Sequence, residues 1–325
     1  MKLLNQIKEY KRLKAIKAIE SERSVTDDFY GKVMCLFASP RGGSTWLLET
    51  LMRRTNFVPI NEPFFQGKLR VDGAMPSFFE GRPYLKNLKY WYHQPIVDEN
   101  ETDEDKENLR KIFSGKYLNP ILTPYSNLAQ LRKAEKFIIK FCYGNLMLPW
   151  IVNHFNVAAI FLVRHPCAVI ASQLNVAGAF DYVIKHPGFS LPTFKNSNYF
   201  SQFDAVLSNL SRPEEILAAI WCITISHVIN HADHGVRWHT VRYEDLLHDP
   251  AQELLKIEKR FPEFGWSDGN WEQMITPSKT TLDENLKNHL LFGTQEEKWK
   301  DQLSKRQIEN TLSVVKAFDI KLYSS

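Results

Sequence analysis

Residues 38 to 46 read Ala-Ser-Pro-Arg-Gly-Gly-Ser-Thr-Trp, and their types and spacing suit one task, holding an anion. They follow an apolar run, Val33 to Phe37, that reads as a buried strand. They open into Leu47, Leu48, Leu51 and Met52, whose spacing predicts a helix from about Ser44 to Arg54. A strand, a glycine-bearing turn and a helix start combine free backbone N–H groups with the positive end of the helix dipole. Arg41 adds a guanidinium, and Ser44 and Thr45 add hydroxyls. The lysine that an ATP-binding phosphate loop places before its Ser/Thr is missing, because Gly43 holds that position. The loop reads as a phosphate cradle lacking a part that ATP chemistry requires.

Two further positions fit the same chemistry. The apolar run Ala158–Val163 delivers Arg164-His165-Pro166, and Pro166 disfavours helix at His165 while suiting a first helical turn. Ser172 follows eight residues after Arg164. An arginine at a strand's carboxyl end and a serine on the next helix can hold a second phosphate; a structural salt bridge is the plain alternative. Lys140 interrupts the apolar Phe-Ile-Ile-Lys-Phe-Cys, and lysine is rarely buried without a partner. Near the end of its strand it would face an anion in the crevice, unless the strand is an edge.

Stepping outward, four strand-then-helix units place these residues: 33–38 before 44–54, 137–142 before 146–155, 158–163 before 167–176, and 237–242 before 250–260. Short uninterrupted apolar strands alternating with helices predict an α/β protein whose central parallel sheet is flanked by helices on both faces. Ligands then gather at the carboxyl ends of the strands. Residues 1–28 read as a basic N-terminal helix, solvated because its apolar positions share no clean face, and 29–325 as one domain. Insertions fall near 62–111, aromatic then charged, and near 178–212, rich in Asn, Ser and Pro.

The bulk composition narrows the function classes. A net charge of +4 on 325 residues gives no reason to expect nucleic-acid binding. No apolar stretch approaches the roughly 18 residues that cross a bilayer, and no signal-peptide pattern opens the chain, so the cytoplasm is the expected location. Cys35, Cys142, Cys167 and Cys222 show no CxxC spacing and read as reduced core thiols. His227, His231 and His234 share i, i+4, i+7 spacing on one helix face, but no accompanying glutamate makes a zinc motif, so no metal is expected.

Pro40 to Trp46 resembles the 5′-phosphosulfate loop of sulfotransferases that use 3′-phosphoadenosine 5′-phosphosulfate (PAPS). Phe161 to Pro166 with Ser172 resembles their 3′-phosphate motif, including the eight-residue gap. Val241-Arg242-Tyr243-Glu244-Asp245-Leu246 and Trp299 with Leu303-Ser304 extend the similarity over roughly residues 33–323. It is closer to the bacterial, carbohydrate and tyrosyl-protein branches than to the cytosolic phenol and steroid branch, whose Lys-Thr-His base motif is absent. The cytosolic Arg-Lys-Gly before the tryptophan is also missing; Leu291-Phe292-Gly293 stands there, and Lys287 or Lys298 could supply charge instead.

The resemblance implies a P-loop NTPase-like sulfotransferase fold, PAPS as donor and PAP (3′-phosphoadenosine 5′-phosphate) as product. Arg41, Gly42, Gly43, Ser44, Thr45, Trp46, Arg164, Ser172 and Tyr243 would bind the donor. Lys140, with Arg41, would stabilise the transition state, without a metal ion. Glu62, 21 residues after Arg41, would be the general base, with His93 and His165 as other candidates. The acceptor would be a hydroxyl or amine of a small molecule or carbohydrate, in a site shaped by residues 62–98 and 178–212. A P-loop small-molecule kinase and a non-catalytic nucleotide-binding module of the same fold are the competing readings.

Overall fold

The structure, a computed structural model, describes residues 2–63, 103–118, 122–176, 180, 199, 201–274 and 296–323. Its centre is one sheet of five strands: β1 (Val33–Ala38), β2 (Val58–Asn61), β3 (Phe137–Phe141), β4 (Ala158–Val163) and β5 (His239–Arg242). All pairs are parallel and the spatial order is β2-β3-β1-β4-β5. The chain moves from β1 outward to β2 and later crosses to β4, so the winding reverses around β1. At such a reversal the loops leaving neighbouring strands diverge and open a crevice.

The strands are buried on both faces, which explains their unbroken apolar runs. Cys35 and Phe37 of β1, Ile139 and Phe141 of β3, and Phe161 and Val163 of β4 point to one face. That face is covered by helices α1 (Lys2–Glu22), α3 (Asp103–Phe113), α4 (Leu148–His154), α5 (Pro166–Leu174), α6 (Pro213–Ile229) and α9 (Lys305–Ala317). Met34, Leu36 and Ala38, with Ile138, Ile160 and Leu162, point to the other face. There α2 (Ser44–Leu51), α7 (Tyr243–His248) and α8 (Pro250–Arg260) cover the sheet. At about 1.5–3 kcal/mol for each large apolar side chain taken from water, these two layers dominate the stability.

Local chemistry sets the helix starts. Pro166 and Pro213 occupy first turns, where a missing N–H costs nothing. Asp249 accepts from the Gln252 amide at the start of α8, and Ser304 and Gln307 form a reciprocal capping box before α9. Two expectations need correction, and one element was missed. α1 is docked rather than solvated: Ile16 and Ile19 are buried, Arg12 donates to Thr123 O and Ser126 O, and Arg23 donates to Leu131 O and Ala134 O. Helix α7 was not anticipated, because two turns are too short to display a period. The three histidines do not share a helix face, since α6 stops at Ile229 and His231 and His234 lie in the turn beyond.

All four cysteines are buried and free. Among the described residues, no helix is long and apolar enough to cross a membrane.

Candidate active site

The loop after β1 turns on backbone that side chains rarely adopt. Arg41 has φ 71° and Gly43 has φ 93°, both left-handed. A Cβ on Gly43 would lie 2.3 Å from Cε2 of Tyr243, so the ring packs directly on the glycine. Trp46 meets the same ring edge-on, with centroids 6.2 Å apart. The Arg164 guanidinium lies 4.5 Å above it. Tyr243, the first residue of α7 just after β5, therefore joins the first loop to the second arginine.

The two arginines open into one crevice. Arg164 Nη1 donates to Arg41 O at 3.3 Å, and Arg41 Nε donates to Ser172 Oγ at 3.0 Å. Gln173, which sequence reasoning passed over, donates from Nε2 to Pro40 O at 3.0 Å and fastens α5 to the loop. Partial burial and the neighbouring Arg164 charge hold the Arg41 guanidinium below its ordinary pKa. Two cations drawn together this way favour an anion between them. Ser39 Oγ, inside the same loop, is buried without a hydrogen-bond partner among the described residues. Guanidinium groups, hydroxyls, loop amides and an unsatisfied hydroxyl are the donor set that a phosphate-bearing nucleotide needs, so these residues fit one.

Lys140 is on β3 opposite Leu36 of β1 and Asn61 of β2, so the strand is interior and the edge explanation fails. Its Nζ donates to Thr45 Oγ1 at 3.2 Å and pairs with Glu62 Oε1 at 3.3 Å. Burial alone would lower its pKa, but the charged surroundings, with the Glu62 carboxylate in contact, outweigh that and raise it. The ammonium thus stays charged at neutral pH. Glu62 follows β2 with φ 53°, another strained left-handed residue at the crevice. Its second oxygen, Oε2, accepts from the Cys142 amide at 2.7 Å. Cys142 Sγ in turn lies 3.3 Å from Ser44 Oγ, and burial keeps the thiol protonated. Cys142 was read only as a core thiol, since nothing in the sequence shows that its amide holds a carboxylate.

Gly42, Gly43, Ser44, Thr45 and Trp46 lie around this crevice with Arg41, Lys140, Glu62, Arg164, Ser172 and Tyr243. His165 is elsewhere engaged: its amide is held by Glu244, and Trp299 stacks on its ring. Burial and the nearby Arg164, Arg242 and Lys300 push its pKa down to about 4. His93, Lys287, the segment 291–293, most of 62–98 and most of 178–212 lie outside the described residues.

No protein-family model matches the chain, and no curated protein does either. Among solved structures it is similar to the sulfotransferase domain from the curacin biosynthetic pathway, at 19% identity and TM-score 0.43, over 90% of this chain and 99% of that one. The sulfotransferase domain of the Synechococcus olefin synthase gives 19% identity and TM-score 0.45, over 93% and 99%. A mouse sulfotransferase complexed with PAP gives 14% identity and TM-score 0.41, over 94% and 88%.

Proposed function

We propose that this protein is a PAPS-dependent sulfotransferase, transferring a sulfuryl group to a hydroxyl or amine of a small-molecule or carbohydrate acceptor. The observation that carries the reading is the meeting of Arg41, Ser172 and Arg164 in one crevice beside Lys140 and Thr45. Two motifs 123 residues apart, each resembling one phosphate anchor of the same nucleotide, converge there. Arg41, Ser44, Thr45 and the loop amides hold the 5′ end. Arg164 and Ser172 hold the 3′-phosphate, and Tyr243 and Trp46 form an aromatic wall. The donor supplies an activated sulfuryl group, with PAP as the product.

Within this reading the chain's own groups divide the work. Glu62 accepts the proton of the acceptor nucleophile, and its ion pair with Lys140 keeps it aimed. Lys140 sets positive charge where negative charge grows, beside Thr45. No metal is assigned a role. The reading treats residues 29–325 as one catalytic domain, and four free buried thiols suit a reducing compartment such as the cytoplasm.

The kinase reading is disfavoured by contact. A side chain in place of Gly43, as the ATP-loop lysine requires, would enter the Tyr243 ring at its first carbon. A thermal-shift titration separates the two. PAP should raise Tm with no magnesium present, and Mg-ATP should not. Stabilisation by Mg-ATP alone would reverse the assignment. Radiolabelled sulfate transfer to a mixed panel of acceptors then distinguishes an enzyme from a binding module.

A further inference from the structure

Glu244 is a buried carboxylate at the start of α7, away from the reacting groups. Burying a charge is expensive unless each oxygen finds a donor. Oε1 accepts from the His165 amide at 2.8 Å, and Oε2 accepts from the Tyr323 hydroxyl at 2.7 Å. His165 immediately follows Arg164, so the carboxylate holds the backbone that carries the second guanidinium.

The C-terminal stretch grips the same residue from its ring. Trp299 stacks on the imidazole at 4.8 Å with the planes 9° apart, and Tyr323 meets it edge-on at 5.1 Å. Arg242 lies 5.1 Å above the Tyr323 ring. His165 Nδ1 accepts from the Cys167 amide, so the ring also caps α5, the helix that carries Ser172.

We propose that Tyr323 and Glu244 are positioning residues for the second phosphate. Together they set the His165 backbone and thereby the direction of Arg164, so residues 299–323 govern how strongly the site prefers a nucleotide with a 3′-phosphate. This rests on the donor assignment above.

The test uses the full chain and two ligands, PAP and adenosine 5′-monophosphate, which lacks the 3′-phosphate. Tyr323→Phe should bind PAP about tenfold more weakly and leave the monophosphate affinity unchanged, as expected for losing one hydrogen bond to a charged group. Without any ligand, hydrogen exchange at the His165 amide should quicken in the same variant. Glu244→Gln, nearly isosteric, should show the same selective loss and serves if Tyr323→Phe fails to fold. A wild-type preference for PAP that survives both substitutions, or an equal loss for both ligands, overturns this inference alone. A wild-type protein that binds the two nucleotides equally well overturns the donor assignment, and the inference with it.

Discussion

Glu62 and Lys140 form the most consequential pair at the residue scale. Lys140 is buried and Glu62 largely so, and each is held by a second contact: Glu62 by the Cys142 amide, Lys140 by the Thr45 hydroxyl. Removing the carboxylate's charge while keeping its shape separates chemistry from binding. Glu62→Gln should lower turnover roughly 100-fold, with PAP binding by calorimetry retained; wild-type turnover in that variant would strip Glu62 of the role of base. That Lys140 needs a partner was readable in advance, since a lone cation in an apolar strand needs an anion to explain it. The contacts of Glu62 were not, because they depend on β3 lying next to β2, a pairing between residues about 80 apart in the chain. Sequence order carries no record of which amide will face which carboxylate.

At the scale of elements, the loop between β1 and α2 is fixed by what packs behind it. Gly43 is required twice, for its left-handed backbone and for the Tyr243 ring against it. Gly43→Ala adds a strain of about 1–3 kcal/mol and displaces a ring that also supports Arg164 and Trp46. The expected result is a lower Tm and loss of PAP binding. Retained binding would mean that the loop adjusts without its tyrosine. The strands and most helices of this layer were legible because apolar runs and prolines mark them plainly. Helix α7 and the true end of α6 were not. The first is too short for periodicity, and the second is set by Asn230, whose amide closes the last turn on Ser226 O with no glycine to announce it.

For the whole molecule, the two covered faces of the sheet leave histidines in dry surroundings. His165 and His227 are both pushed down to about 4 from 6.5, chiefly by burial, with added repulsion from Arg164 for the first and His231 for the second. Between those values the unfolded chain binds more protons, so their stabilisation is complete above about pH 6.5 and disappears as pH falls toward 4. Glu20, raised to about 7 by burial, works in the opposite sense and is a single group against two. Tm measured from pH 7 down to pH 4 should therefore drop by several degrees, and His227→Phe should flatten the curve. A wild-type Tm constant across that window would show that these rings are not shielded. The Lys140 ammonium, shared between Thr45 and Glu62, has its own molecular consequence. An occupant that pulls it toward the loop alters the field at the carboxylate, and one that engages the carboxylate alters the loop. On the proposed function, thermodynamic reciprocity would make the dissociation constants of donor and acceptor depend on each other by the same factor, a cooperativity built from a single side chain.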